Sequence, residues 1–97
     1  MNINADRNGE VLTLSVEGRL DTSTAPELEM ALSDLSGVTD LTLDFAKLDY
    51  ISSAGLRVLL ATQKVMNNQG KMVIKNVNDT IMEVFEITGF SDILTVE

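Results

Sequence analysis

The chain has 97 residues, 44% of them hydrophobic and 23% charged, which suits one small folded domain over residues 1–97 and not a disordered segment. Its formal net charge is −8, and its seven basic residues are scattered, which argues against binding to nucleic acid or to an anionic membrane surface. It has no cysteine and no histidine, which excludes disulfides, thiolate metal sites and a Ser-His-Asp triad.

The N-terminal residues predict a β-hairpin. Residues 3–7 have a weak strand pattern, Asn8 and Gly9 form a strong two-residue turn signal, and residues 10–16 alternate apolar and polar side chains. We therefore expect two antiparallel strands.

The sequence has no targeting or membrane-spanning signal. The first six residues lack the basic start and apolar run of a signal peptide, and no apolar run approaches the roughly 18 residues that span a bilayer. We therefore expect a cytoplasmic protein.

An amphipathic helix is predicted next. Thr24 and Glu27 have the spacing of a capping box, in which Thr24 is the N-cap and Glu27 the third helical residue. Apolar residues follow at positions 28, 31, 32 and 35, which is the spacing of one helix face, and Gly37 is the expected stop.

The middle of the chain predicts a strand followed by a buried helix. Residues 40–45 alternate as a half-buried strand does, and from position 56 apolar residues recur at helical spacing up to about Asn68. Gly70 is the expected left-handed C-cap of this helix.

The last part predicts a short strand over residues 71–75 and a third helix that Asn78 or Thr80 can cap and that stops at Gly89. Residues 92–96 are interpreted as a last edge strand. This order of elements predicts an α/β fold with a mixed, mostly parallel sheet of four to five strands, an antiparallel N-terminal edge and about three helices.

Two serines, Ser52 and Ser53, stand where the third strand gives way to the second helix. Unpaired N–H groups and the helix dipole favour negative charge at such a position, and phosphorylation would supply it. The alternative is that the pair only caps the helix, which is the usual role of serine there. Ala54 and Gly55 leave room for something to approach the backbone, and no neighbouring base activates the hydroxyls. The pattern indicates a substrate of phosphorylation and not an enzyme.

Other chemistry has weaker support. Asp21, Asp44 and Asp49 are expected near the carboxyl ends of strands, where ligands bind to open parallel sheets, and three acids could hold a hard cation. Their spacing matches no metal motif, so the favoured interpretation is that Asp21 caps a turn and that Asp44 and Asp49 are solvated loop acids. A phosphoaspartate at Asp44 is a separate possibility. No glycine-rich nucleotide loop is present, and we expect no metal and no cofactor.

Residues 50–59 resemble the signature of the STAS-domain anti-sigma factor antagonists. Residues 18–21 are similar to that family's loop after the second strand, residues 41–44 to its third strand, and residues 84–90 to its third helix. The resemblance runs over nearly the whole chain in the right order. One departure is Ser52, since well-known members have aspartate just before the phosphoacceptor.

The resemblance implies that the unphosphorylated chain binds an anti-sigma factor that is also a serine kinase, and so frees the sigma factor. Ser53, rather than Ser52, matches the phosphoacceptor, and a serine phosphatase would reset the switch. The free protein is expected to be a monomer. The implied partner surface consists of Asp21, Thr22, Ser52, Ser53, Ala54, Gly55 and Arg57.

Two alternatives remain open. One is a STAS subunit of a transport or signalling complex that binds its partner without phosphorylation. The other is a metal-assisted hydrolase that uses Asp21, Asp44 and Asp49.

Overall fold

A computed structural model describes all 97 residues. The chain forms four strands and three helices, which alternate after an initial pair of strands and are followed by a short 3₁₀ helix at Phe90–Asp92. In chain order they are β1 (Asn2–Asn8), β2 (Val11–Leu20), α1 (Ala25–Ala31), β3 (Asp40–Ile51), α2 (Ser53–Asn67), β4 (Lys71–Lys75) and α3 (Asp79–Thr88). No helix has both the length and the apolar character that crossing a membrane requires.

The four strands form one mixed sheet in the order β1-β2-β3-β4. β1 is antiparallel to β2, whereas β2, β3 and β4 are parallel to their neighbours. The predicted fold class is confirmed, as is the hairpin, in which Asn8 pairs with Val11 and Gly9 takes a left-handed φ of 62°.

Alternation along the strands places the core on one face of the sheet. Every second side chain is buried in β2 up to Val16, in β3 up to Phe45 and in β4, as with Leu14, Leu43 and Ile74. The intervening Thr13 and Thr42 are half-buried on the other face. The buried sides of the helices complete the same hydrophobic cluster, in which Phe45 and Phe85 are fully buried.

β3 is longer than the sequence predicts, because it continues to Ile51 through two irregularities. Its register with β2 shifts after Ser15 and again after Gly18, and each shift adds one residue to β3. These bulges break the simple alternation that identified residues 40–45 as a strand. Asp44 and Asp49 consequently lie within β3 and not beyond its end.

α1 is shorter than predicted and ends at Ala31. Two side chains beyond its end offer the backbone other hydrogen bonds. The Ser33 hydroxyl donates to the Met30 carbonyl oxygen (2.7 Å), and Asp34 accepts from the N–H of Ser36 (3.1 Å). Leu35 is still buried, although it lies in the loop that follows α1.

Gly70 is not the left-handed cap that the sequence predicts. The C-cap of α2 is Asn68 in a right-handed conformation, and φ of Gly70 is not positive. Glycine is required for a different reason: a Cβ at this position would overlap the carbonyl oxygen of Thr39.

The C-terminal predictions are confirmed for α3 and largely wrong for the tail. The N-cap of α3 is Asn78, whose Oδ1 accepts from the N–H of Ile81 (2.8 Å), and Gly89 ends the helix with φ 81°. The segment expected to form a last strand begins within the 3₁₀ helix, and only Val96 pairs with the sheet, through an isolated bridge to Ile74.

Candidate functional site

The residues that the sequence marks as a partner surface come from two segments that the sheet brings together. β2 and β3 are neighbouring parallel strands that end at the same edge, where Leu20 is paired with Ile51. The N–H of Ser52 donates to the carbonyl oxygen of Leu20 (2.8 Å). The loop after β2, which begins with Asp21, therefore lies beside the N-terminus of α2.

Ser52 and Ser53 occupy the first positions of α2, as predicted. Ser52 is the N-cap residue with extended backbone, but its side chain makes no capping hydrogen bond. The first helical bond runs from the N–H of Leu56 to the carbonyl oxygen of Ser52 (3.0 Å). The N–H groups of Ser53, Ala54 and Gly55 therefore have no acceptor inside the helix, and they favour an anion at this end of α2.

The two serine hydroxyls differ in accessibility. Ser53 is exposed, whereas Oγ of Ser52 is buried and has no hydrogen-bond partner. A phosphate donor must reach the oxygen that it modifies. In this conformation only Ser53 presents one.

Asp21 organises the loop between β2 and α1. Its Oδ1 accepts from the Ser23 hydroxyl (2.7 Å), from the N–H of Ser23 (3.0 Å) and from the N–H of Thr24 (3.1 Å). The Ser23 hydroxyl is the main cause of a lowered Asp21 pKa, and the two N–H groups lower it further. Asp21 is therefore a carboxylate at neutral pH and a weak base.

Thr24 is the N-cap residue of α1 and Glu27 its third helical residue, as predicted, but the hydrogen bonds of a capping box are not formed. The Thr24 side chain makes no capping hydrogen bond to the helix. Its hydroxyl donates instead to the Arg19 carbonyl oxygen (2.6 Å) and accepts from the N–H of Asp21 (2.8 Å). Thr24 thus fixes the loop to the end of β2.

Three predicted partner residues, Thr22, Ala54 and Arg57, line one shallow depression of about 240 Å³ between α1 and α2. Arg57 is exposed, and its side chain takes part in no hydrogen bond and in neither of the chain's two ion pairs, which are Arg19–Asp21 and Lys71–Asp40. The depression is completed by Ala25, Pro26, Glu29 and Val58. The guanidinium group of Arg57 is therefore available for binding.

Gly55 is buried, which changes its interpretation. A Cβ on Gly55 would lie 2.7 Å from Cγ of Leu20 and 2.9 Å from Cγ1 of Ile51. The group that approaches this backbone is the chain's own core and not a partner. Gly55 therefore allows α2 to pack against the strand ends and offers no surface of its own.

The sequence did not reveal the contact between Arg19 and Tyr50 at the edge of this site. The guanidinium carbon of Arg19 lies 4.2 Å from the centre of the Tyr50 ring, and Nε lies 3.8 Å from Oδ2 of Asp21. The two residues are register partners on β2 and β3, just after the second bulge. A parallel register that shifts twice cannot be read from a pattern of alternation.

The other two acids proposed for a metal site lie elsewhere on β3. Asp44 accepts from the side-chain amide of Asn76 (3.0 Å) and from the N–H of Ala46 (2.9 Å), while Asp49 is exposed. The Asn76 amide is the main cause of a lowered Asp44 pKa, with the Ala46 N–H next. No three carboxylates of the chain lie close enough together to hold a metal ion.

Comparison with known proteins gives matches over the whole chain. The family model of the STAS domain matches residues 2–97. The chain is 36% identical over 99 residues to BtrV of Bordetella bronchiseptica, in an alignment that covers 99% of this chain and 85% of BtrV. It is 33% identical over 99 residues to the anti-sigma-B factor antagonist of Staphylococcus aureus, with 99% and 92% of the two chains covered.

A solved structure shares the fold in two chemical states. The Bacillus anti-sigma factor antagonist SpoIIAA matches with a TM-score of 0.78 in its unphosphorylated form and 0.77 in its phosphorylated form, both at 18% identity. The matches cover 99% of this chain and 87% and 91% of the respective SpoIIAA chains. At this identity the likeness concerns the fold, which SpoIIAA has with and without its phosphate.

Proposed function

This chain belongs to the STAS domain family, and on that premise we propose that it is an anti-sigma factor antagonist that works by partner switching. Its unphosphorylated form binds an anti-sigma factor and so frees a sigma factor for transcription in the cytoplasm. Phosphorylation of Ser53 by that partner, a serine kinase, ends the binding, and a serine phosphatase restores it. The chain is the regulated substrate in this cycle and not an enzyme.

The observation that carries this proposal is the pair of unlike serines at the start of α2. Ser53 is exposed at a helix end whose N–H groups favour an anion, whereas Oγ of Ser52 is buried. A serine in that position can receive a phosphate without rearrangement of the helix. This favours Ser53 over Ser52 as the acceptor.

The phosphate transfer is a substitution at the γ-phosphorus of ATP held by the kinase. Oγ of Ser53 forms the new ester bond, the bond from the γ-phosphorus to the bridging oxygen breaks, and ADP leaves. The hydroxyl proton goes to a base of the kinase. This chain has no histidine, and the nearby Asp21 is a weak base because the Ser23 hydroxyl lowers its pKa.

The added phosphate carries about −1.5 to −2 charges at neutral pH. It enters a surface that already contains Asp21, and like charges in an interface oppose binding. The partner surface in this proposal consists of the exposed Thr22, Ser53 and Arg57 together with Asp21 and Ala54. Gly55 and the Ser52 hydroxyl are buried and lie beneath that surface.

The modification is tested by intact-mass measurement and site mapping of the protein purified from its native cells. We expect a form with one added phosphate on Ser53, no such form in Ser53→Ala, and an unchanged form in Ser52→Ala. Ser52→Ala is the matched control because it removes a neighbouring hydroxyl that has no hydrogen-bond partner. A phosphate retained in stoichiometric amount by Ser53→Ala would contradict the proposal.

Binding is tested by co-purification of the wild type, Ser53→Ala and Ser53→Asp from the same cells. We expect an anti-sigma factor to accompany the wild type and Ser53→Ala and to be lost from Ser53→Asp, whose carboxylate stands for part of the phosphate charge. Equal co-purification with all three would refute the switch and support the alternative, a STAS subunit that binds without phosphorylation.

A further inference from the structure

Arg57 lies one helical turn after Ser53 on the exposed side of α2. The two residues are separated by four positions within the same helix, and both are exposed. Side chains at this separation are neighbours on a helix surface, about 5–6 Å apart at their Cβ atoms. An acidic group at the first position and a basic group at the second is the favourable order.

The Arg57 guanidinium has no competing partner. No carboxylate occurs anywhere in the α2 sequence, and Glu29, which lines the same depression from α1, makes no ion pair with it. Arg19, the other basic residue at this edge, stacks over Tyr50 and lies beside Asp21. Of Arg19 and Arg57, only Arg57 has an unengaged guanidinium group.

We propose that Arg57 binds the phosphate of phosphorylated Ser53 within the same chain, an inference that rests on the proposed function. The guanidinium fork can donate two parallel hydrogen bonds to phosphate oxygens. The unpaired N–H groups in the first turn of α2 add to the attraction. In the unphosphorylated chain the same guanidinium is free to bind a carboxylate of the protein partner.

Phosphorylation then changes the partner surface in two ways. It adds negative charge at Ser53, and it occupies the one unengaged cation of the depression between α1 and α2. A partner carboxylate that pairs with Arg57 would be repelled by the phosphate and would also lose its counter-ion. Phosphorylation therefore weakens partner binding more than charge repulsion alone would.

The test uses the full chain with phosphoserine installed at position 53 during translation, so that no kinase is needed. A ³¹P NMR titration gives the pKa of the phosphate in the wild-type background, Arg57→Ala and Lys64→Ala. A nearby cation stabilises the doubly charged phosphate and lowers its pKa, so we expect Arg57→Ala to raise it by about 0.3 unit or more. Lys64→Ala, an exposed basic residue farther along the same helix, should leave it unchanged.

An unchanged phosphate pKa in Arg57→Ala would overturn the proposal, and so would an equal rise in Lys64→Ala, because that would indicate a general charge effect. Both side chains are exposed, and circular dichroism of each variant verifies the fold. The result is independent of whether cells phosphorylate Ser53. Failure of the mapping experiment would refute the proposed function, whereas an unchanged pKa would refute only the role of Arg57.

Discussion

At the scale of single residues, the start of α2 shows why two neighbouring side chains of the same type have different chemistry. Ser52 still belongs to the strand edge, where its N–H is bound by Leu20, and its hydroxyl is buried there. Ser53 is the first helical residue and faces solvent. One step along the backbone separates a buried hydroxyl from an accessible one.

Gly55 keeps α2 close to the ends of β2 and β3, and replacing it tests that contact. Alanine is favoured over glycine in a helix by about 1 kcal/mol, but the new Cβ would lie 2.7 Å from Leu20. Overpacking of a core costs about 1–3 kcal/mol, so we expect Gly55→Ala to lower the free energy of unfolding in urea titrations. Gly70→Ala should cost more, because its Cβ would meet the Thr39 backbone.

If Gly55→Ala were as stable as the wild type or more so, the close packing at this position would be refuted. The sequence shows that a small residue is needed after Ser53, but not which neighbour requires it. That neighbour, Leu20, is distant in the chain and is brought close only by the parallel pairing of β2 and β3.

At the scale of elements, α3 is anchored by one side chain with two contacts. Oδ1 of Asn78 accepts from the N–H of Ile81 (2.8 Å), while its amide nitrogen donates to the carbonyl oxygen of Leu48 (2.9 Å). Leu48 lies in the half of β3 that extends beyond the residues paired with β4. Asn78 therefore caps α3 and also donates a hydrogen bond to β3 at a position that β4 does not reach.

Substitution at this cap separates the two candidates that the sequence left open. Loss of an N-cap costs roughly 0.5–2 kcal/mol, and Asn78→Ala also leaves the Leu48 carbonyl without its donor, so we expect a loss near the upper end. Thr80→Ala is the control, since Thr80 is exposed, and should stay within about 0.5 kcal/mol of wild type. Urea unfolding gives both values. Equal losses would contradict the assignment of the cap to Asn78.

The elements were predictable from sequence where local pattern and tertiary structure agree. The alternation of residues 40–45 identified a strand, Gly89 marked the end of α3, and Asn78 was one of two candidates for its start. Prediction failed where the local structure depends on contacts with other segments of the chain. The bulges of β3 depend on its pairing with β2. Oδ1 of Asp21 accepts the hydrogen bond from the N–H of Thr24 that the expected capping box would direct to Glu27.

The candidate site follows the same division. Ser53, Arg57 and Asp21 could be singled out from the sequence, because a family signature and a helix start mark them. The stacking of Arg19 on Tyr50 and the burial of the Ser52 hydroxyl could not, since both depend on how two strands end against one helix.

At the scale of the whole molecule, the carboxylates link stability to pH. Asp21, Asp34 and Asp44 all have lowered pKa values, and for each the first cause is a hydrogen bond that the folded chain donates. A carboxyl with a lower pKa in the folded state stabilises that state above its ordinary pKa of 3.8. This stabilisation is lost as pH falls through the folded-state value.

Asp44 allows the effect to be measured for one group. Between pH 5 and pH 3, a range that includes the ordinary aspartate pKa, we expect the free energy of unfolding to fall less in Asp44→Asn than in the wild type. The reason is that the amide of the variant does not titrate over this range. Urea titrations at both pH values give the comparison. An identical pH dependence in the two proteins would show that the Asn76 and Ala46 hydrogen bonds do not favour the ionised form of Asp44.

The stack between Arg19 and Tyr50 gives the molecule a built-in optical signal. Tyr50 is the only tyrosine of a chain without tryptophan, and it is 39% exposed beside the proposed partner surface. Almost all intrinsic fluorescence must therefore come from one ring at that edge. Docking of a partner that lacks tryptophan, or a change in the guanidinium above the ring, can be followed as a change in emission without attaching a dye.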